Sequence, residues 1–257
     1  MFDLELKDKV VIITGGSDGL GRASAKQMAL EGAKVIICAR RKEYLMQTAE
    51  KLSEETNGVV KGIHADVCIS EDCVRLIDQT LEEYGRIDCL INNAGKSAAF
   101  GLEELSDDAW HEDLELKLMG AVRMCRGVIP HMREGGGGSI VNASTGAGKA
   151  AGSMALPTSV SRAAGLNLTK SLANEFAKDK IRINAICIGK IKSAQWERRS
   201  KGGDLKKIYS DLVKTIPLGR VGEAEEYADL VAFLCSARAS YINVAVINLD
   251  GGLCPFI

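Results

Sequence analysis

Residues 10–21 read VVIITGGSDGLG, from Val10 to Gly21, and the rest of the chain is organised around them. The β-branched run Val10, Val11, Ile12, Ile13 has the pattern of a buried strand, and Gly15, Gly16, Gly19 and Gly21 then force a tight turn into an amphipathic helix that starts near Leu20. Such a turn is a phosphate cradle. Glycines without Cβ atoms let a pyrophosphate approach the backbone, while the free N–H groups of the first helical turn and the positive end of the helix dipole face the anion. A purely structural turn can carry the same letters, but the strand, turn and helix in this order favour a dinucleotide, with Gly15, Ser17, Asp18, Gly19, Leu20 and Gly21 as its candidate contacts.

The pattern repeats downstream. Helix one is predicted over 19–31, stopped by Gly32, and strand two over 34–39. The residue closing the second strand is where an acidic side chain would grip the 2′-hydroxyl of NAD. Ala39 stands there, followed by Arg40 and Arg41, two cations suited to a 2′-phosphate. NADP(H) is therefore favoured over NAD(H), the alternative being that the two arginines only solvate a helix start. Further on come a helix (42–56), strand three (59–65) with Asp66 placed to cap an adenine amino group, a helix (70–84), strand four (88–92) and the turn Asn92-Asn93-Ala94-Gly95. A long helix (107–131) ending around Pro130, strand five (139–145), a helix (157–178), strand six (182–188), a basic excursion, a helix (223–236) and a last strand (243–249) complete the chain. Alternation of this kind implies an α/β fold: a doubly wound parallel sheet with right-handed crossovers and helices on both faces.

Composition narrows the function. With 257 residues and 46% hydrophobic content the chain suits one domain over 1–257, and a net charge of −1 gives no global attraction to nucleic acid or to an anionic membrane. The first ten residues, MFDLELKDKV, do not resemble a signal peptide, and no apolar run approaches a membrane span, so a cytoplasmic protein with no membrane partner is expected. The eight cysteines mostly lie within apolar runs and contain no C-x-x-C pair, and the three histidines have no ligand spacing. Free thiols and no metal site are expected.

These residues resemble the short-chain dehydrogenase/reductase family, over nearly the whole chain. Thr14-Gly15-x-x-x-Gly19-Leu20-Gly21 looks like its cofactor signature, Asn92-Asn93-Ala94-Gly95 like its sheet-stabilising turn, and Ile216-Pro217-Leu218-Gly219-Arg220-Val221-Gly222 and Asp250-Gly251-Gly252 like its C-terminal marks. The resemblance implies a seven-stranded Rossmann sheet, a nicotinamide cofactor across the strand ends, a substrate loop at about 189–220, and a tetramer or dimer built on the long helices and the last strand. It also implies cofactor contacts at Asp66, Val67, Asn93, Ala94, Gly95, Arg162, Ile188, Gly189, Ile191 and Ser193, with Ile188 replacing the family's proline and Ser193 its threonine.

Enzymes of this family use an Asn, a Ser, a Tyr and a Lys, and the resemblance places Lys117, Thr145, Thr158 and Arg162 at those four positions. The segment Ala163-Ala164-Gly165-Leu166 that follows looks like the family's own continuation. Positions 158 and 162 still share one helix face. The proton chemistry does not survive, because an aliphatic hydroxyl is a far weaker acid than a phenol and a guanidinium has no removable proton. Lys117 is the candidate replacement acid: a neighbouring Arg162 and burial would both lower its pKa, with Thr145 and Thr158 orienting the substrate oxygen. Alternatively, Lys117 snorkels from a helix end. Ser144, Ser159 and Ser161 have no His or Asp positioned by sequence to activate them, which argues against serine hydrolysis.

Between Lys190 and Lys207 stand seven cations and two acids, a local charge of +5 that would steer an anionic substrate such as a carboxylate or an acyl-coenzyme A, or that merely solvates a surface helix. Trp196, in the same stretch, either closes over a ligand or packs. Two functions follow. In one, the chain is an oxidoreductase interconverting a secondary alcohol and a ketone through a non-standard site. In the other it is a redox-inactive subunit supporting an active paralogue in a hetero-oligomer. A non-redox lyase or hydrolase using Lys117 is the third.

Overall fold

In the computed structural model, residues 3–193 and 204–255 are described. Seven strands, β1 (Val10–Thr14), β2 (Lys34–Ala39), β3 (Val59–His64), β4 (Cys89–Asn92), β6 (Gly138–Thr145), β8 (Ile181–Ile188) and β9 (Val246–Leu249), form one sheet in the order β3-β2-β1-β4-β6-β8-β9. Every pairing within it is parallel. The strand order reverses between β1 and β4, and this switch point opens the crevice in which open α/β sheets bind their ligands.

The strand letters explain the two layers. In β1, Val11 and Ile13 enter one core with Ala25 and Met28 of α1 (Gly19–Leu30), Leu45 and Leu52 of α2 (Lys42–Thr56) and Tyr227. Val10 and Ile12 enter the other, against Leu76 and Ile77 of α3 (Ser70–Tyr84) and Met124 and Val128. Alternate side chains thus fill opposite faces, and a strand buried on both faces is apolar throughout. Among the described residues no helix is long and apolar enough to cross a membrane, and no group of His, Cys, Asp or Glu is arranged to hold a metal ion. All eight cysteines are free.

Most boundaries fall within a residue of the sequence expectation, and the larger differences have physical causes. The helix predicted as one piece over 107–131 is α4 (Asp107–Leu114), a wider π turn (Glu115–Met119) and α5 (Gly120–Glu134). It also runs past Pro130, because Met124, Cys125, Val128, Ile129 and Met132 hold its inner face in the core and one lost backbone bond does not release it. The helix α6 (Thr158–Glu175) gives way to a short 3₁₀ turn (Ala177–Asp179), and Lys180 then turns left-handed at φ 58°. The last strand starts only at Val246: Val244 has a left-handed φ of 64°, while Asn243 is held by accepting from Ile183 N at 2.9 Å and donating to Ala173 O at 3.2 Å. The basic excursion includes α7 (Leu205–Val213), followed by α8 (Ala224–Cys235). One element had no expectation: β5 (Ala99–Phe100) and β7 (Leu156–Pro157) pair antiparallel beside the crevice.

Candidate active site

The cradle between β1 and α1 is held by neighbours that fix its backbone. Gly15 and Gly19 have φ of 66° and 50°, and a Cβ on Gly21 would lie 2.2 Å from the carbonyl oxygen of Gly15. No other residue fits at Gly21 without moving the turn. Asp18 caps α1, its carboxylate accepting from Gly19 N at 2.8 Å. From the β4 side, Asn93 donates its side-chain amide to Thr14 O at 3.0 Å and Gly15 O at 3.3 Å, while Thr14 Oγ1 accepts from the Asn93 and Ala94 amides at 3.0 Å each. The Asn-Asn-Ala-Gly turn therefore braces the glycine turn across the switch point.

A cleft of about 500 Å³ opens over these strand ends. Gly15, Asp18, Gly19 and Leu20 line one side, Asn93, Ala94 and Gly95 the next, and Thr145, Thr158 and Arg162 the far wall. Ile188, Gly189, Ile191 and Ser193 complete the lining, together with Lys190, the first cation of the basic excursion, and Cys254, for which the sequence suggested no role in the site. Ser17 is buried, as is Gly21. Asp66, Val67, Arg40 and Arg41 lie outside this lining. Asp66 accepts from Cys68 N at 3.0 Å. Val67 is packed so closely on α5 that a Cβ on Gly120 would meet it at 2.9 Å. Arg41 lies over the ring of Tyr44 and 3.5 Å from Asp18, which places one cation beside the cradle, whereas the Arg40 side chain is exposed.

Thr145, Thr158 and Arg162 stand on the far wall, and Lys117 lies behind it. Lys117, on the π turn, is buried with its side chain 0% exposed, so it does not snorkel. Its ammonium donates to Thr158 Oγ1 at 2.7 Å and to Asp113 Oδ1, and the other oxygen of Asp113 accepts from Ser161 Oγ at 2.6 Å. Thr158 Oγ1 also accepts from Ala98 N at 3.3 Å. Burial brings the Lys117 pKa down to about 8; the Asp113 carboxylate opposes the fall and the Arg162 charge adds to it. Arg162 donates to Ala143 O at 2.5 Å, its Nε is buried with no hydrogen-bond partner, and a Cβ on Gly95 would stand 2.7 Å from its Nη2. Burial lowers its pKa too. The Thr145 hydroxyl, ending β6, is likewise buried without a partner. Behind the wall lies a cavity of about 20 Å³, lined by Lys117, Asn92, Asn142 and Ser144 among others.

Asp113 was missed by the sequence reading, although it stands one helical turn before Lys117 and the i, i+4 spacing puts both on one face. The same carboxylate corrects the view that no acid sits near Ser161, but that serine is fully buried in the network and does not reach the cleft lining. Of the basic excursion, Lys190 lines the cleft and Lys192 pairs with Glu223, while Trp196 and the cations at 198, 199 and 201 lie outside the described residues.

Comparison with known proteins agrees with this geometry. Residues 15–254 match the family model described as enoyl-(acyl carrier protein) reductase. The chain is 36% identical over 248 residues to dehydrogenase/reductase SDR family member 4 of Caenorhabditis elegans, covering 95% of both chains, and 33% identical over 252 residues to the human protein of that name, covering 96% of this chain and 88% of the human one. Among solved structures, L-sorbose reductase of Gluconobacter frateurii, complexed with NADPH and L-sorbose, superimposes with a TM-score of 0.95 at 33% identity over 100% of both chains. An actinorhodin polyketide ketoreductase variant with NADPH superimposes with a TM-score of 0.91 at 30% identity, over 97% of this chain and 98% of the other. The protein belongs to the short-chain dehydrogenase/reductase family.

Proposed function

We propose that the protein is an NADP(H)-dependent oxidoreductase that interconverts a secondary alcohol and a ketone, with Lys117 supplying the proton that the family's tyrosine otherwise provides. The observation that carries it is the buried ammonium of Lys117, hydrogen-bonded to a threonine that lines the cleft beside the glycine cradle. The residues fit the dinucleotide: the cradle leaves a bare backbone for a pyrophosphate, and Arg41 stands next to it for a 2′-phosphate. The bound nicotinamide would supply or accept the hydride. The chain's own part is to hold the substrate oxygen between Thr145 and Thr158, with Arg162 keeping a fixed positive charge at the wall where negative charge develops. The two L-sorbose reductase and ketoreductase neighbours, both solved with NADPH, support the cofactor and a polar carbonyl substrate.

Fluorescence titration with NADPH and NADH, followed by turnover on a panel of ketones, tests this reading. Lys117→Met should keep NADPH binding and lose about 10²–10⁴-fold in kcat, the usual contribution of a positioned acid. Unchanged turnover in that variant would refute it.

A second reading is favoured by one observation: Arg162, in place of the family's lysine, is half-buried and tied to the Ala143 carbonyl rather than free. A chain with threonine rather than a phenol at position 158 and with this anchored guanidinium could serve as the redox-inactive partner of an active paralogue. Native mass spectrometry of the complex from its own cells separates the two, since a hetero-oligomer that binds no NADPH supports the silent subunit and a homo-oligomer that binds it supports the enzyme.

A further inference from the structure

Lys117 cannot itself touch a substrate. Its side chain is fully buried and it is absent from the cleft lining, whereas Thr158, which it bonds, lines the cleft. Thr158 Oγ1 takes two hydrogen bonds, from Lys117 Nζ at 2.7 Å and from Ala98 N at 3.3 Å. A hydroxyl oxygen has two lone pairs and one proton, so with both lone pairs engaged the remaining O–H is a donor with no role inside the wall. On the far side of the ammonium, Asp113 holds Lys117 with one oxygen and Ser161 with the other, and Ser161 sits one turn along α6 from Thr158, whose carbonyl its hydroxyl also reaches at 3.2 Å. One carboxylate thereby fixes both the ammonium and the first turn of the helix that carries the threonine.

We propose that the Thr158 hydroxyl hands the proton to the substrate oxygen while Lys117 restores it from behind, and that Asp113 is the positioning residue that keeps the two in line. The proposal rests on the oxidoreductase reading above. In the reducing direction the carbonyl carbon would take the hydride that a bound NADPH supplies, and the C=O π pair moves onto oxygen. That oxygen takes the Thr158 proton, Thr158 Oγ1 takes one from Lys117 Nζ, and Lys117 is left neutral until, with product gone, water in the cleft gives a proton to Thr158 Oγ1 as that hydroxyl returns its own to Lys117 Nζ. The threonine never has to ionise, so the weak acidity of an aliphatic alcohol is no barrier: proton transfer through it is concerted and its charge is unchanged. Asp113 also sets the working range, because its carboxylate opposes the fall in the Lys117 pKa that burial causes.

Ketone reduction at saturating NADPH, followed against pH, tests the relay. The wild-type kcat should be flat at low pH and fall as pH rises through about 8, where Lys117 loses its proton. Thr158→Val should lose about 10²–10⁴-fold in kcat, Thr158→Ser should keep most of it, and Thr158→Val combined with Lys117→Met should be no worse than either alone, since the two act as one unit. Asp113→Asn should move the alkaline limb to lower pH with little change in KM. Independently of turnover, ¹⁵N-lysine NMR of the cofactor-free protein should show the Lys117 ammonium titrating near 8 and shifting downward in Asp113→Asn. Full activity in Thr158→Val, with loss only in Lys117→Met, overturns the relay and leaves the oxidoreductase reading standing. An Asp113→Asn variant whose limb and lysine titration do not move overturns the role of Asp113. A wild type that binds no NADPH overturns the reading itself, and the relay with it.

Discussion

Between β1 and α1 the chain builds a glycine turn out of backbone, and between α4 and α6 it builds a hydrogen-bonded wall out of side chains. The turn needs its glycines for two reasons: Gly15 and Gly19 have left-handed φ of 66° and 50°, and a Cβ on Gly21 would stand 2.2 Å from a carbonyl oxygen. The wall is a connected structure of side chains, running from Asp113 through Lys117 to Thr158, with Ser161 closing it from behind. Backbone-defined sites fail abruptly when one residue changes. Side-chain-defined sites can be rebuilt, provided buried charges remain paired and hydrogen-bonded.

The contrast breaks most visibly at the cradle. Gly21→Ala forces the turn apart, at about 1–3 kcal/mol of overpacking strain, and NADPH affinity should fall by up to ~100-fold while the Lys117 titration near 8 stays in place. Isothermal titration and lysine NMR on the one variant read both halves of that statement. An affinity left intact would mean the turn is not the anion site.

A smaller effect sharpens the cofactor side. Arg41 stands 3.5 Å from Asp18 with 61% of its side chain exposed. Arg40→Ala together with Arg41→Ala should weaken NADPH binding by about tenfold or more, leave NADH binding nearly unchanged, and flatten the salt dependence of the NADPH affinity, because exposed charges act through a screened field. Equal losses for both cofactors would remove the case for a 2′-phosphate site.

The smallest expected effect lies outside both regions. The Arg220 guanidinium beside Glu226 pulls that carboxylate down to about 2. A carboxylate lowered on folding adds stability above its unfolded value near 4.5 and loses it as pH falls toward 2. Glu226→Gln should therefore lower the melting temperature slightly at neutral pH, by no more than about 2 °C for so exposed a pair, and the difference from wild type should vanish in acid. A difference that persists there would assign the effect to packing.

Much of this was legible in the letters. Strand β1, the turn after it and the alternation that follows gave the sheet and its handedness, because hydrophobic periodicity and glycine placement are local and survive in any sequence that folds this way. Lys117, Thr145, Thr158 and Arg162 could be placed by counting along the family's pattern. The counting could not say whether Lys117 faced water or the core, and it passed over Asp113, which looks like an ordinary acidic residue on an amphipathic helix. The π turn that carries Lys117 and the β5–β7 pair that brings Ala98 to Thr158 also left no signal, since each depends on contacts with distant segments.

The amino-acid sequence by itself determined the order of strands and helices, the glycine turn and which residues stand at positions 117, 145, 158 and 162. Only the tertiary structure decided what those residues are chemically. A lysine's acidity depends on how much water surrounds it and which charges lie within a few ångströms; the Asp113 carboxylate stands one turn earlier on the same helix, whereas the burial and the Thr158 hydroxyl come from packing that helix against α6.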